Sequence, residues 1–320
     1  MKVIVAEHMG MCFGVRDAIR DTEKIETPNL VTINGELVHN QQIQERLRSR
    51  GFHIIPELQR SQVPSTRDVL ITAHGISNRE RNRLVDAGKK LIDTTCPLVR
   101  RVHEAAMNFK RSGCLVIITG RHGHVEVEGI IGDLERYVIV ESVDEVESYD
   151  AGKIGIVCQS TTPPYLAEEI VAAIRAKNRG KIVQFADTIC RPTRERQESM
   201  EELLEKVEAV VVVGGRNSNN TRQLGKLAES QGVPWIHVQS PGDLEPEWFE
   251  PYSIVGLTAG TSTPDSTITA ICEALLQIDS NAVVGSGSWA QVSANGIPRD
   301  NLCEIADSGR SGQVRNPCPR

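Results

Sequence analysis

The chain has 320 residues, of which 39% are hydrophobic and 4% aromatic, and its 36 basic and 42 acidic side chains give a formal net charge of −6. At about 150 residues per domain, this length predicts two or three domains, and the composition excludes a chain that is disordered throughout. The acidic balance argues against a broad nucleic-acid-binding surface, which needs a basic face, although it permits a small local anion site.

The apolar segments of the sequence are all short. None approaches the length that crosses a bilayer, and the four apolar residues after Lys2 are too few for the core of a secretory signal. We therefore expect a protein of the reducing cytoplasm that does not associate with membranes. Its eight cysteines are then packed apolar residues, reactive thiols or metal ligands rather than structural disulfides.

Short, β-branched apolar runs alternate with helical patterns along most of the chain, which predicts an α/β fold with mainly parallel sheets. The predicted strands include VIVA (3–6), DVLITA (68–73), LVIITG (115–120), IGIV (154–157), AVVVVG (209–214) and SIVGLTAG (253–260). Helices are predicted after Cys96 and after Cys190, because apolar residues recur there at helical spacing. Their apolar positions are Val99, Val102, Ala106 and Phe109 in the first helix, and Met200, Leu203, Leu204 and Val207 in the second.

Nearly all the side chains capable of chemistry follow the predicted strands, in the loops that lead into helices. Ligands of open α/β sheets bind beyond the carboxyl ends of the strands, so we expect a functional site where these loops meet. The loops are EHMGMCFG, HGISN, TTCP, RHGHVEVEG, CQSTT, TIC, GRNSNNT and TSTPD.

Cys12, Cys96 and Cys190 share one setting, because each follows a predicted strand and precedes a predicted helix. A helix N-terminus stabilises a thiolate, which makes the sulfur a better ligand or nucleophile. The similar spacing of these cysteines predicts three α/β units of similar size. We place the units at residues 14–97, 98–192 and 193–279, with an N-terminal strand region 1–13 joined to the third unit and an irregular tail at 280–320.

Three converging thiolates could hold a zinc ion with one open position, or an iron–sulfur cluster with one iron left for substrate. The three cysteines are spread one per unit, and the closely spaced pairs of small zinc modules are missing. This pattern favours the larger cofactor at a central junction. Zinc and unrelated structural cysteines stay open as alternatives.

Histidines occupy three of the same loops and predict an anion pocket. His39, His74 and His124, together with hydroxyl, amide and backbone N–H groups, could hold a diphosphate without a lysine-rich patch. The sequence contains neither a P-loop nor a dinucleotide-binding glycine motif. The polar partners expected in this pocket are Ser218, Asn220 and Ser262.

Glu126 is two residues from the pocket histidine His124 and could supply a proton near a metal centre. If this stretch is extended, His124, Glu126 and Glu128 share one face, and Glu128 lies farther from the histidine. Glu126 is therefore the preferred acid.

Taken together, the motifs resemble those of the hydroxymethylbutenyl diphosphate reductases. They occur in family order over residues 1 to about 279, and each is short, but their combination is highly specific. The motifs are MCFGV (11–15), LVHN (37–40), AHG (73–75), DTTCPLV (93–99), GHVEVEG (123–129), DTIC (187–190), RNSNNT (216–221) and TAGTSTPD (258–265).

The resemblance implies three α/β units in a pseudo-threefold cloverleaf around a [4Fe–4S] cluster held by Cys12, Cys96 and Cys190. The family converts 4-hydroxy-3-methylbut-2-enyl diphosphate to isopentenyl and dimethylallyl diphosphate by two-electron reductive dehydroxylation. This is the terminal step of the methylerythritol phosphate, or non-mevalonate, route to isoprenoids. An external donor such as a ferredoxin or flavodoxin system supplies the electrons.

The resemblance also implies roles for single residues. His39, His74 and His124 would contact the substrate, mainly its diphosphate, and Glu126 would be the proton donor. Ser160 stands where the family usually has a Thr beside the substrate hydroxyl. Ser218, Asn219, Asn220 and Ser262 would complete the substrate pocket.

The sequence departs from the family pattern at several points. Thr161 is the alternative hydroxyl if the loop register differs from the one that places Ser160 beside Glu126. Asn219 replaces a usual Ser, so its contact would be through the backbone, and Val125 replaces a usual Pro. No family tail is recognisable in 280–320.

Two other function classes use the same residues. One is a zinc-dependent hydrolase of a phosphorylated small molecule, with Glu126 as its base. The other is a non-catalytic sensor that binds the cluster.

Overall fold

A computed structural model describes residues 1–278 and the backbone of a short strand at 283–285. The strands are β1 (Lys2–Val5), β2 (Val31–Asn34), β3 (His53–Ile55), β4 (Asp68–Ile71), β5 (Lys90–Asp93), β6 (Leu115–Thr119), β7 (Tyr137–Val140), β8 (Lys153–Cys158), β9 (Ile182–Ala186), β10 (Ala209–Val213), β11 (Trp235–Val238), β12 (Ile254–Ala259) and β13 (Val283–Gly285).

The helices follow most of the strands. They are α1 (Phe13–Glu23), α2 (Gln41–Ser49), α3 (Asn78–Asp86), α4 (Pro97–Arg111), α5 (Val125–Ile131), α6 (Pro164–Lys177), α7 (Arg191–Leu204), α8 (Asn219–Ser230), α9 (Pro246–Phe249) and α10 (Asp265–Ile278). Every helix within the described residues is too short or too polar to cross a bilayer.

The strands form three parallel sheets, which confirms the predicted class of three α/β units. The sheets have the strand orders β3-β2-β4-β5, β7-β6-β8-β9 and β11-β10-β12-β1-β13. The N-terminal strand β1 lies in the third sheet and pairs with β12 and β13. The residue boundaries predicted for the three units stay predictions.

Each sheet has its own apolar core, built mainly from the β-branched residues that the strand runs supply. The predicted runs became β1, β4, β6, β8, β10 and β12, the strands with the longest apolar segments. The other strands carried weaker signals. β3, β7 and β11 lie at sheet edges, where one side is half-exposed, and β2 has two polar residues among four.

The two predicted helices are present as α4 and α7. Pro97 is the first residue of α4, a position whose backbone N–H would have no hydrogen-bond partner within the helix. Val99, Val102 and Ala106 of this helix are buried. Phe109 packs closely against Gly155 of β8. A Cβ built on Gly155 would lie 2.2 Å from the Phe109 ring. The prediction for α7 was wrong at one position, because Val207 lies beyond the end of the helix at Leu204.

The irregular tail predicted for 280–320 lies outside the described residues except at β13. There, residues 283–285 form an edge strand that pairs with β1 rather than irregular chain.

Candidate active site

One cavity lies where the strand-end loops of the three units meet. Its empty volume is about 700 Å³, counting the space at its open mouth. Residues from all three units line it, and they include every site residue predicted from the sequence. Those residues are Cys12, His39, His74, Cys96, His124, Glu126, Ser160, Cys190, Ser218, Asn219, Asn220 and Ser262.

The three cysteines occupy equivalent places in the fold. Cys12, Cys96 and Cys190 are the N-cap residues of α1, α4 and α7, and none of them forms a disulfide. Each backbone N–H donates to the carbonyl of a loop at the end of a neighbouring strand. The acceptors are Thr261 for Cys12 at 3.1 Å, Ala73 for Cys96 at 3.0 Å and Ser160 for Cys190 at 2.9 Å.

Burial keeps two of these sulfurs protonated in the absence of a cation. It raises the pKa of the Cys96 thiol and raises that of Cys190 to about 11, although Thr193 lies within hydrogen-bonding distance of the Cys190 sulfur. Binding of a cationic metal group would reverse this preference, since the thiolate is the ligand form.

The spacing of the three sulfurs bears on which metal group they fit. They share one cavity, but the three sulfurs do not all lie within 4.8 Å of one another. Three sulfurs on one tetrahedral zinc, each about 2.3 Å from the metal, would be about 3.8 Å apart. The site therefore fits a larger, polynuclear group better than a single zinc ion.

A glycine makes room for one of the sulfurs. Gly14 lies in the first turn of α1, and a Cβ at this position would be 2.4 Å from the Cys96 sulfur and 3.3 Å from its Cβ. Any larger residue at position 14 must displace the side chain of Cys96.

Gly14→Ala should therefore impair metal binding while the fold persists. We expect the purified protein to hold severalfold less iron than the wild type, with unchanged secondary structure by circular dichroism. Gly152→Ala is the matched control, because no atom lies within 4 Å of a Cβ built there. A Gly14→Ala protein with wild-type iron content would show that the Cys96 sulfur need not stay where it is.

Glu126 is a buried carboxyl with a defined partner. It is 2% exposed, and its two oxygens accept hydrogen bonds from the Ser160 backbone N–H at 2.6 Å and the Ser160 hydroxyl at 2.8 Å. Burial raises the pKa of Glu126 to about 7, against the opposing effect of the two hydrogen bonds. A carboxyl with this pKa exchanges its proton near neutral pH, as a general acid must.

The loop register places Ser160, not Thr161, beside the carboxyl. The Thr161 hydroxyl accepts instead from the side-chain amides of Gln159, at 3.1 Å, and Asn219, at 2.9 Å. Ser160 is thus the hydroxyl that can pass a proton to or from Glu126.

The segment after His124 is helical, so the condition of an extended stretch, under which His124, Glu126 and Glu128 would share one face, is not met. His124 caps α5, with its Nδ1 accepting from the Glu126 N–H at 3.1 Å. Glu128 is exposed to solvent, whereas His124 and Glu126 are both buried. The His124 side chain stabilises the first turn of α5 by accepting from a backbone N–H that has no partner within the helix.

The three histidines form one cluster. The rings of His39 and His74 stack with centroids 4.2 Å apart, and the His124 ring lies edge-on to them at 5.3 and 5.8 Å. Burial holds the pKa of His74 and His124 well below the usual value, so both are neutral in the free protein at pH 7. The His39 Nε2 and His74 Nδ1 atoms are buried without a hydrogen-bond partner.

Side chains of the third unit close the opposite wall. Ser218 caps α8 and accepts from the Thr221 N–H at 3.3 Å, and Asn220 accepts from the Thr261 N–H at 3.0 Å. The Asn220 Nδ2 is buried without a partner. Ser262 donates to the His39 carbonyl at 3.1 Å, so it joins the third unit to the first.

The cavity thus combines two sets of groups, three thiols at helix N-termini and a set of buried polar atoms without partners, the Asn220 amide nitrogen and two imidazole nitrogens. Sequence reasoning missed a third feature, the carboxyl that orients His39. Glu36 lies 2.9 Å from the His39 Nδ1, and the Asn217 amide of the third unit donates to it at 3.3 Å. The spacing of Glu36 and His39 in GELVHN carried no distinctive signal, since turns commonly bring such residues together.

These features define a three-unit α/β protein with a trithiol pocket at the junction of its sheets. The family model described as LytB protein matches residues 3–276. The chain belongs to the LytB family.

Named relatives agree with this assignment. A 4-hydroxy-3-methylbut-2-enyl diphosphate reductase of Aquifex aeolicus is 35% identical over 288 residues, which cover 86% of this chain and 98% of the relative. The reductase of the same name from Ralstonia nicotianae is 35% identical over 290 residues, with 88% of each chain covered.

Solved structures with the same arrangement include the E-1-hydroxy-2-methyl-but-2-enyl-4-diphosphate reductase of Plasmodium falciparum. It superposes with a TM-score of 0.80 at 25% identity and covers 90% of this chain and 92% of its own. A second is described as (E)-4-hydroxy-3-methyl-but-2-enyl diphosphate reductase, the terminal enzyme of the non-mevalonate pathway. It has a TM-score of 0.60 at 34% identity, with 86% of this chain and 99% of its own covered.

Proposed function

We propose that the chain is a 4-hydroxy-3-methylbut-2-enyl diphosphate reductase, an oxidoreductase of the terminal step of the non-mevalonate route to isoprenoids. It removes the substrate hydroxyl as water and yields isopentenyl and dimethylallyl diphosphate, with two electrons and two protons consumed. The observation that carries this proposal is that the trithiol site and the Glu126–Ser160 pair line one cavity with the histidine cluster. We place the enzyme in the cytoplasm, with a ferredoxin or flavodoxin system as its electron donor.

Cys12, Cys96 and Cys190 would hold the [4Fe–4S] cluster through their sulfurs. When bound, the cluster supplies single electrons and a Lewis-acidic iron without a cysteine ligand. The donor set fits this group, because the residues are three soft thiols at helix N-termini that leave one iron without a protein ligand.

The alternative of a zinc-dependent hydrolase has no support from the relatives described above, which are named as reductases. The three sulfurs also do not all lie within 4.8 Å of one another, whereas three sulfurs on one zinc ion would be about 3.8 Å apart. A cluster-binding sensor without catalysis would not need a buried carboxyl with a pKa near neutrality beside the thiol site.

The histidine cluster and the α8 N-terminus would bind the diphosphate. His39 and His74 have buried nitrogens without partners, and Asn220 has an unpaired amide, so an anion would satisfy groups that folding left unsatisfied. A bound diphosphate would also stabilise the protonated imidazoles, so we expect binding to take up protons. The role of this contact is to orient the allylic alcohol and to exclude water, since the diphosphate is remote from the bond that breaks.

Glu126 would deliver the proton to the departing oxygen, directly or through the Ser160 hydroxyl. Ser160 contacts both carboxyl oxygens, which fixes the orientation of the Glu126 carboxyl group in the wall of the cavity. Its backbone carbonyl also accepts from the Cys190 N–H at 2.9 Å, so one loop positions both the acid and a thiol ligand.

His74→Ala should weaken substrate binding while leaving the cluster in place. A hydrogen bond to a charged group contributes about 1.5–3 kcal/mol, so we expect KM to rise about 10- to 100-fold with the visible absorbance of the cluster unchanged. Steady-state kinetics under anaerobic conditions measure this.

The control for His74→Ala is His53→Ala, because His53 is exposed on the edge strand β3. That variant should match the wild type. If His74→Ala loses the cluster and keeps the wild-type KM, the histidine supports the metal group rather than the substrate.

A further inference from the structure

Arg196 is a buried cation that pairs with no carboxylate of the described residues. It lies in α7 and is 6% exposed. Its guanidinium donates to two backbone carbonyls, those of Gly10 at 2.6 Å and Pro192 at 2.9 Å. Its Nε is buried without a partner. Folded proteins rarely bury a full positive charge in this way, because the loss of hydration must be offset by a nearby negative charge.

As metal ligands, the sulfurs of Cys12 and Cys190 would be thiolates, and their negative charge would act on Arg196. Burial lowers the pKa of Arg196, and these two thiols are the strongest of the groups that act in the opposite direction. The other charged neighbours already have partners. Glu195 pairs with Arg191 at 2.6 Å, and Arg16 pairs with Asp265 at 3.3 Å.

The carbonyls that hold Arg196 belong to the segments that carry these cysteines. Gly10 is two residues before Cys12, and Pro192 is two residues after Cys190. One guanidinium therefore joins two ligand-bearing segments that are distant in sequence, and it brings a permanent charge to their junction.

We propose that Arg196 is a positioning residue that serves as the internal counter-charge of the trithiol site. It holds the Cys12 loop against the first turn of α7, and it stabilises the negative charge of the ligand sulfurs and of the group they bind. This inference rests on the proposed function, because the charge that Arg196 offsets grows when that group accepts an electron. Removal of the arginine charge then makes the group harder to reduce.

A redox titration of the anaerobically purified holoprotein, followed by electron paramagnetic resonance, tests the proposal. In Arg196→Gln we expect the equilibrium constant for one-electron reduction to fall about tenfold or more, as for a unit charge removed inside a protein. A tenfold change is a shift of about 59 mV to more negative potential. Arg196→Lys keeps the charge and should stay close to the wild-type potential.

Arg194→Gln is the matched control, since Arg194 lies in the same helix but is partly exposed and pairs with Asp187. Its potential should not move. A wild-type reduction potential in Arg196→Gln would contradict the proposal that Arg196 is a counter-charge. Equal shifts of the potential in the Gln and Lys variants would also contradict it, because they would show that Arg196 acts only as a structural contact.

Iron content keeps the proposal testable if Arg196→Gln does not retain the cluster. The counter-charge predicts that Arg196→Lys retains iron where Arg196→Gln loses it, and equal loss in both variants would overturn it. Failure of the proposed function is separate, because a wild-type protein without a cluster would contradict that function before any variant is compared.

Discussion

Glu126→Gln should lower kcat about 10²- to 10⁴-fold, because the amide keeps the shape of the side chain but cannot donate an acidic proton. The buried site, the cluster and the KM should persist, since the Gln side chain can still accept from Ser160 through its carbonyl oxygen. Anaerobic steady-state kinetics, with iron and sulfide counted in both proteins, measure the loss per cluster.

Glu128→Gln is the matched control for this variant, because Glu128 is two residues farther along α5 and exposed to solvent. It should have the wild-type rate.

The pKa of Glu126, about 7 in the free protein, gives a second test through the pH dependence of the rate. The active form is the protonated acid, so kcat/KM should fall as pH rises above about 7, and Glu126→Gln should lack this decline. Normal turnover in the Gln variant would remove Glu126 from the mechanism and leave Ser160 and bound water to be tested.

Cys96→Ala should abolish cluster binding and turnover together, because two thiols cannot hold a cubane cluster that three hold in the wild type. We expect iron and sulfide near zero, no visible absorbance and activity reduced by several orders of magnitude. The apoprotein should still fold, since Cys96 caps α4 without a side-chain hydrogen bond and the helix keeps its buried face. Inductively coupled plasma analysis measures the iron content, and thermal unfolding shows whether the apoprotein is folded.

Cys272→Ala is the corresponding control, because Cys272 is a half-buried residue of α10 that packs against the core of the third sheet. It should retain full iron and full activity. A Cys96→Ala protein with wild-type cluster content would contradict the ligand assignment, and Cys158, which lies at the end of β8, would be the next ligand to test.

The fold was predictable where the sequence repeats one strong signal. Runs such as AVVVV are buried on both faces of a parallel sheet, so their hydrophobicity alone identifies them. The edge strand β7 is buried on one side only, and the sequence analysis did not predict it. The position of β1 in the third sheet depends on long-range pairing with Ile254–Leu257, which no local pattern in the sequence shows.

The site was predictable because its residues follow strand ends, where parallel sheets place them together. The contacts that position these residues could not be predicted from the sequence. Whether Ser160 or Thr161 meets Glu126 depends on one loop register, and the helix that begins at Val125 is set by a His cap that no apolar periodicity shows. The room that Gly14 leaves for the Cys96 sulfur and the burial of Arg196 depend on packing between units that are far apart in sequence.

The most direct test of the central claim is turnover by the anaerobically purified protein with its cluster quantified. We predict that, with a strong one-electron reductant, it converts 4-hydroxy-3-methylbut-2-enyl diphosphate to both isopentenyl and dimethylallyl diphosphate, and that the two products together account for the substrate consumed. A protein with a full complement of four iron and four sulfide per chain that releases neither product under these conditions would contradict the account.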